Sequence, residues 1–253
     1  MTDKPNFVLV PTEPDADTPR PATWLDRMKS FAATLLPQAT GLVSSPSRLP
    51  EIPKRPRLVF GFDATASREP AWHTARTVTD ALVEALPGAL DVALAVHGGG
   101  LLHTFTDFTS EAGALRDRAA GIECIAGQTR LLPILSRCLR TPGIRVVTYI
   151  GDVFEESLQR GRKLADELGA RDIRLIVLHD TTDWAARRDA EVFLDLARRT
   201  GGCVLPFDPN APGRLREILG AAAAYAVGGA ALLETKRGEL PGAVLLLEHM
   251  NDR

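Results

Sequence analysis

Residues 57–67 read RLVFGFDATAS. The apolar run from Leu58 to Phe62 has the length and composition of a buried strand, and it stops abruptly at Asp63. Thr65 and Ser67 follow, with an alanine before each of them. Because side chains alternate in near-extended backbone, this spacing directs the three oxygen-bearing side chains to one side. The stretch therefore predicts a buried strand that ends in a loop rich in oxygen ligands.

Apolar strands and amphipathic helices alternate along the rest of the chain. We predict strands at 91–96, 101–105, 145–150, 173–178 and 203–207, and helices at 71–86, 111–119, 130–139, 155–168, 189–199 and 213–227. The two strands around His97-Gly98-Gly99-Gly100 have the spacing of an antiparallel hairpin. This order predicts an α/β fold, a Rossmann-like doubly wound and mostly parallel sheet with one antiparallel edge strand and helices on both faces.

The composition divides the chain into three parts. Residues 1–56 contain ten of the 18 prolines, which predicts a Pro-rich N-terminal extension with one short amphipathic helix after Thr23. Residues 57–233 form the predicted α/β domain. Residues 234–253 form an apolar C-terminal tail, which we expect to pack back on the helices that flank the sheet.

Charge, cysteine content and hydrophobicity limit the partners and the location that the sequence predicts. The net charge is -2 and the basic residues are scattered, which argues against a nucleic-acid partner. Three cysteines without a CxxC pair, and an N-terminus without signal-peptide features, predict a cytoplasmic protein. The uncharged run 218–233 is shorter than the roughly 20 residues that a membrane span needs, so we predict no membrane span.

Two further polar positions converge on the loop after the first strand. Thr129 precedes the helix that leads into the strand at 145–150, and Asp152 directly follows that strand. In open parallel sheets, ligands bind at the carboxyl ends of the strands. The combined set has two carboxylates and three hydroxyls, and such an all-oxygen set suits a hard cation, Mg²⁺ or Mn²⁺. The predicted metal ligands are Asp63, Thr65, Ser67, Thr129 and Asp152.

The order Asp63-x-Thr65-x-Ser67, then Thr129, then Asp152 resembles the metal-ion-dependent adhesion site of von Willebrand factor A domains. The family pattern is DxSxS, a distant Thr and a distant Asp, and the resemblance covers residues 57–227. It implies that Ser67, Thr65 and Thr129 contact the metal directly or nearly so. It also implies that Asp63 and Asp152 act mainly through metal-bound water.

The resemblance also implies a function, that of an adaptor and not of an enzyme. Neutral hydroxyl ligands leave much of the charge of the ion uncompensated, so a carboxylate from a partner protein would complete the coordination. The partner would therefore present an Asp or Glu. Bacterial intracellular relatives of this type work with ATPases or other multi-protein assemblies, which are the partners that the resemblance implies.

Two alternatives stay open. Asp63 at a strand end, with the acidic stretch 151–156, is also similar to haloacid-dehalogenase-type phosphatases, although Thr65 stands where their second aspartate is usual. A metal-free scaffold domain is the other alternative, because Asp63, Ser67 and Asp152 are residue types that also cap helices.

Overall fold

The computed structural model of the protein describes residues 53–182 and 184–251. Its sheet has six strands in the order β3-β2-β1-β4-β5-β6. All neighbouring strands are parallel except β2 and β3, which form the antiparallel edge. The predicted fold class is therefore confirmed. The strands are β1 (Arg57–Asp63), β2 (Asp91–Gly98), β3 (Leu101–Phe105), β4 (Ile144–Gly151), β5 (Arg174–His179) and β6 (Cys203–Pro206).

Eight α-helices accompany the strands in the described part of the chain, and a short 3₁₀ turn at Ala66–Arg68 follows β1. The predicted N-terminal extension, with its helix, lies outside the described residues except for positions 53–56. The helices are α1 (Glu69–Arg76), α2 (Ala81–Glu84), α3 (Ala112–Ala120), α4 (Leu131–Leu139), α5 (Leu158–Ala170), α6 (Trp184–Arg199), α7 (Pro212–Thr235) and α8 (Pro241–Asn251).

The central strand β1 is buried on both faces, which is why its sequence is continuously apolar. Leu58, Phe60 and Phe62 belong to one hydrophobic core, while Val59 between them belongs to the other. The first core is closed by α1, α2, α3, α7 and α8, and the second by α4, α5 and α6. Period-two alternation therefore divides one apolar run between two cores, and the sheet is covered by helices on both faces.

The topology places a crevice at the centre of the sheet. From β1 the chain moves outward to β2 and β3, and then returns to add β4 on the other side of β1. The strand order thus reverses between β1 and β4, and open α/β sheets bind their ligands at such a switch point. Asp63 ends β1 and Asp152 follows β4, so the predicted carboxylates flank this position.

The predicted helix over 71–86 is interrupted. Helix α1 ends at Arg76, and α2 begins only at Ala81. Between them the hydroxyl of Thr77 donates to the carbonyl of Thr74 at 2.7 Å, and that of Thr79 donates to the carbonyl of Arg76 at 3.2 Å. Residues 77–79 are all β-branched, and the two threonine hydroxyls bond back to the preceding turn. Such residues are poor helix formers, which explains the break.

The last core helix continues beyond its predicted end. Gly229 has φ 63° and ψ −159°, so α7 kinks where we predicted that it stops, and then runs on to Thr235. The predicted domain boundary at 233 therefore falls inside α7. By length and composition, α7 is the one described helix that could cross a membrane, and half of its most apolar window is buried inside the protein.

The C-terminal tail is helical and contributes to the first core. Helix α8 packs along α7 and beside β6. Its residues Ala243, Leu246 and Leu247 are almost completely inaccessible, whereas Val244 is 38% exposed. One face of α8 is therefore part of the interior of the domain.

We expect Leu246→Ala to lower the free energy of unfolding by about 2–5 kcal/mol, because it removes a fully buried side chain and leaves a cavity. Chemical denaturation of the full chain measures this change. Val244→Ala on the same helix is the matched control and should cost less than about 1 kcal/mol. Equal effects of the two substitutions would contradict the packing of α8.

Candidate metal centre

The loop after β1 is held in place by its own side chains and by two neighbouring segments. The carboxylate of Asp63 accepts a hydrogen bond from the backbone N–H of Thr65 through Oδ1 at 3.0 Å, which closes a tight turn. Ala64 donates its N–H to the carbonyl of His97 at 2.9 Å and accepts from Ile125 at 2.8 Å. The loop is thus fixed between the end of β2 and the segment before α4.

The structure brings three of the predicted ligands together directly. The hydroxyls of Thr65 and Ser67 lie 3.3 Å apart, close enough to hydrogen bond. Asp63 and Thr65 are buried, whereas Ser67 is exposed. The oxygen-bearing side chains of Asp63, Thr65 and Ser67 therefore form a row that extends from the interior to the surface.

The second oxygen of Asp63 has no hydrogen-bond partner among the described residues, although it is buried. Burial, together with the negative charge of Asp152, raises the pKa of Asp63 to about 7. A buried carboxylate oxygen without a donor is costly, and it lies in a region of excess negative charge. Both features fit a bound cation or its water ligands.

Asp152 lies at the switch point, within electrostatic reach of Asp63. Its Oδ1 accepts from the N–H of Val153 at 2.8 Å. Its backbone carbonyl lies 2.8 Å from Nε2 of His179 at the end of β5, which ties the loop after β4 to the next strand. Gly151, which precedes it, has no room for a side chain, because a Cβ there would lie 2.5 Å from the ring of the buried Tyr149.

Thr129 is placed differently from the other predicted ligands. Its N–H and its hydroxyl both donate to Oε2 of Glu155 at 2.8 Å, and it makes no hydrogen bond to Asp63, Thr65, Ser67 or Asp152. Its segment nevertheless reaches the same edge, because Gly127 lies against the backbone of Gly99 and Gly100, where no Cβ would fit. Since the hydroxyl proton points to Glu155, the lone pairs of the oxygen remain free to bind a cation.

Within residues 53–182 and 184–251, no three His, Cys, Asp or Glu side chains converge as metal ligands. Any metal bound at this edge would therefore depend on hydroxyl oxygens as well as on the two aspartates. This donor chemistry fits Mg²⁺ or Mn²⁺ better than a softer metal, which would require nitrogen or sulfur ligands.

Two acidic residues that suggested a phosphatase-type cluster have another role here. Glu155 accepts both hydrogen bonds from Thr129, and Glu156 accepts from the N–H of Leu132 at 2.7 Å. Both carboxylates therefore bind the start of α4, where free N–H groups and the helix dipole favour negative charge. They hold the segment of Thr129 against the loop after β4.

Arg68 is the residue of this region that the sequence analysis missed. It is buried, and its Nη1 lies 2.6 Å from Oδ2 of Asp180 and 3.8 Å from Oδ2 of Asp152. Burial raises the pKa of Asp180, but hydrogen bonds from Arg68 and Thr182 outweigh that effect and bring it below its usual value. The position of Asp180 directly after β5 was the signal in the sequence for a third carboxylate at this edge.

A neutral pair of aromatic side chains lies beside Asp63. Nε2 of His97 and the hydroxyl of Tyr149 are 2.8 Å apart, and both residues are fully buried. Nδ1 of His97 lies 3.5 Å from Asp63, but burial and the positive charge of Arg130 lower the pKa of His97 to about 3. The imidazole is therefore neutral near pH 7, and it packs against Asp63 without compensating its charge.

The comparisons with known proteins agree with this fold. No protein-family model and no curated protein matches the chain. Among solved structures, a von Willebrand factor type A protein from Catenulispora acidiphila superposes with a TM-score of 0.55 at 14% identity, over 67% of this chain and 43% of that chain. The chain therefore spans less than half the length of that protein.

Two further structures align over similar parts of this chain. An aerotolerance-related membrane protein from Bacteroides fragilis has a TM-score of 0.53 at 15% identity, with 66% of this chain and 98% of that chain covered. The pilus adhesin SpaC from Lactobacillus rhamnosus GG has a TM-score of 0.53 at 12% identity, with 69% and 30% covered. The protein thus has the fold of von Willebrand factor A domains.

We expect Arg68→Met to destabilise the protein by about 3–5 kcal/mol, because the substitution leaves the buried carboxylate of Asp180 without its partner. Adding Asp180→Asn to Arg68→Met should recover part of this loss, so that the two effects are not additive. A double-mutant cycle from denaturation curves measures the coupling.

The exposed pair of Arg55 and Asp91, at 3.3 Å, is the matched control. Solvent screens that pair, so Arg55→Met should cost less than about 1 kcal/mol. Additive effects of Arg68→Met and Asp180→Asn would show that the buried ion pair does not form.

Proposed function

We propose that this protein is a metal-dependent interaction module, in which Asp63, Thr65, Ser67, Thr129 and Asp152 hold one Mg²⁺ or Mn²⁺ ion. The observation that carries the proposal is the buried Oδ2 of Asp63, which has no donor among the described residues. The hydroxyls of Thr65 and Ser67 lie next to it, and Asp152 lies across the switch point. A divalent ion bound there would offer an open coordination position to a carboxylate of a partner protein.

The residues of the chain have separate roles in this proposal. Asp63 and Asp152 provide the negative charge that attracts a cation. The exposed hydroxyl of Ser67 provides an oxygen at the surface, where a partner has access. Glu155 fixes the hydroxyl of Thr129 by accepting its hydrogen bond, and it also orients the start of α4.

The surface around this edge supports a role in protein binding. Leu101 at the start of β3 is 69% exposed, and Trp184 at the start of α6 is 73% exposed. Ile125, whose backbone N–H donates a hydrogen bond to the carbonyl of Ala64 in the loop after β1, is also exposed. Exposed apolar side chains grouped at one edge are typical of binding surfaces, and tryptophan often contributes strongly to their affinity.

The partner in this proposal is another protein that presents an Asp or Glu. The resemblance to bacterial intracellular relatives favours an ATPase or another multi-protein assembly in the cytoplasm. The proposed role is binding without catalysis, because Glu155 and Glu156 are occupied at α4 and Thr65 offers no carboxylate as a proton donor.

The guanidinium of Arg68 favours a second candidate, a metal-free interaction domain. It lies 3.8 Å from Asp152 and carries a permanent positive charge inside the same cluster. In this alternative, Arg68 compensates the charge of the aspartates, and the exposed apolar residues alone bind the partner.

Titration of Mn²⁺ into the full chain distinguishes the two candidates. We expect paramagnetic broadening that is strongest at the amide resonances of residues 63–68, 129 and 151–153, and a 1:1 calorimetric isotherm with Mg²⁺. Ser67→Ala should weaken Mn²⁺ binding at least about tenfold, because it removes an exposed ligand without disturbing the core. Asp63→Ala should abolish binding.

Ser110→Ala is the matched control, since its hydroxyl accepts from Arg55 at a distant site, and it should bind Mn²⁺ like the unaltered protein. Broadening centred on another part of the protein, or equal affinity of Ser67→Ala and the unaltered protein, would falsify the metal site. An absence of Mn²⁺ binding would favour the metal-free alternative.

A further inference from the structure

A groove of about 960 Å³ lies outside the candidate metal centre, between α4, α5 and the edge strand β3. Its apolar lining is partly accessible to water and comes from all three elements. The apolar residues are Leu102, Phe105, Leu132, Pro133 and Leu164. The groove can therefore contact apolar side chains of a ligand as well as polar ones.

The rim of the groove carries an excess of positive charge. Five basic side chains line it, against two carboxylates, those of Glu156 and Glu167. Among the described residues, none of the five forms an ion pair with a carboxylate. The basic residues are Arg130, Arg137, Arg140, Arg160 and Lys163.

Three of these arginines are held in place by uncharged groups. Arg130 donates to the carbonyl of Gly100 at 3.0 Å, and Arg140 donates to the hydroxyl of Ser136 at 2.7 Å. The guanidinium of Arg137 lies 5.6 Å from the centre of the Phe105 ring. Neutral partners restrict these side chains but leave their charges uncompensated, so less ordering is required when an anionic ligand binds.

The groove begins beside the candidate metal centre. Both α4 and α5 start at the carboxyl edge of the sheet, because α4 leads into β4 and α5 follows it. Arg130 is adjacent to Thr129, and Arg140 lies at the far end of α4. Since a helix rises 1.5 Å per residue, the nine residues of α4 extend the groove over about 14 Å.

We propose that this groove binds an acidic segment of a partner protein, one that combines Asp or Glu with a few large apolar side chains. Charge complementarity selects this occupant, because the groove concentrates positive charge on a chain whose net charge is -2. The apolar lining selects against a simple anion such as phosphate. This inference goes beyond the proposed metal-dependent function and does not depend on a bound ion.

The test is a selection of peptides of about 12 residues from a random phage-displayed library, on the full chain and in the presence of EDTA. We expect the selected peptides to be rich in Asp or Glu together with Leu or Phe. Addition of one such peptide should shift the amide resonances of α4, α5 and β3. EDTA removes any contribution of the metal, so failure of the metal site leaves this result unaffected.

Charge reversal tests the electrostatic part. Arg137→Glu and Lys163→Glu, both at exposed positions, should each weaken peptide binding at least about tenfold, which corresponds to about 1.4 kcal/mol. Arg198→Glu, at an exposed position of α6 outside the groove, is the matched control and should leave binding unchanged. Thermal unfolding checks that all three variants remain folded.

Several results would overturn the proposal. Selected peptides without an excess of acidic residues, shifts confined to other surfaces, or equal effects of Arg198→Glu would each do so. The proposal would also be overturned if the library yielded no peptide that binds the protein. Groove resonances that change with protein concentration would assign the groove to a second copy of the protein. Residues 13–17 of this chain, EPDAD, are also acidic. Groove resonances that change when Glu13, Asp15 and Asp17 are replaced by Asn would assign the groove to this segment.

Discussion

The burial of the Asp63 carboxylate at the end of the central strand is the constraint on which the rest of the structure depends. A strand that is apolar on both faces carries this group into the interior, at the point where the order of the strands reverses. One of its oxygens is satisfied by the turn that it closes, and the other is not. Burying such a group costs free energy, and the pKa of Asp63 is raised accordingly.

Apart from the aspartates, the residues that surround the Asp63 carboxylate are either neutral or positively charged. His97 and Tyr149 are both neutral near pH 7, because burial lowers the pKa of the His97 imidazole and a phenol is uncharged at this pH, so neither compensates the charge of Asp63. Arg68 carries a positive charge but directs its short contact to Asp180, on the far side of Asp152. At the carboxyl edge of the sheet, Asp63, Asp152 and Asp180 therefore form a charged network with Arg68.

The fold could be predicted from the sequence because its signals are local. Apolar strand runs alternate with helical periodicity, and each strand produces the same pattern wherever its neighbours lie. The errors arose where hydrogen bonds or backbone geometry override that pattern. Thr77 and Thr79 interrupt a helix through their hydroxyls, and Gly229 bends α7 without ending it.

The candidate site was only partly accessible to the same reasoning. Asp63, Thr65 and Ser67 are neighbours in sequence, so their spacing carries the information. Arg68 forms its ion pair with Asp180 across 112 positions, and Thr129 binds Glu155 across 26. Such pairings depend on how the loops of different strands face one another, and no periodicity in the sequence reports that geometry.

The two edges of the sheet restrict how another chain approaches. Strand β3 has five residues and pairs irregularly with β2, while β6 has four and ends at Pro206. Short, irregular edges offer few free backbone groups in register, which protects the sheet from aggregation by strand addition. Another chain that contacts this sheet would therefore find few backbone groups to pair with, so its contacts would be made by side chains on the loops and helices.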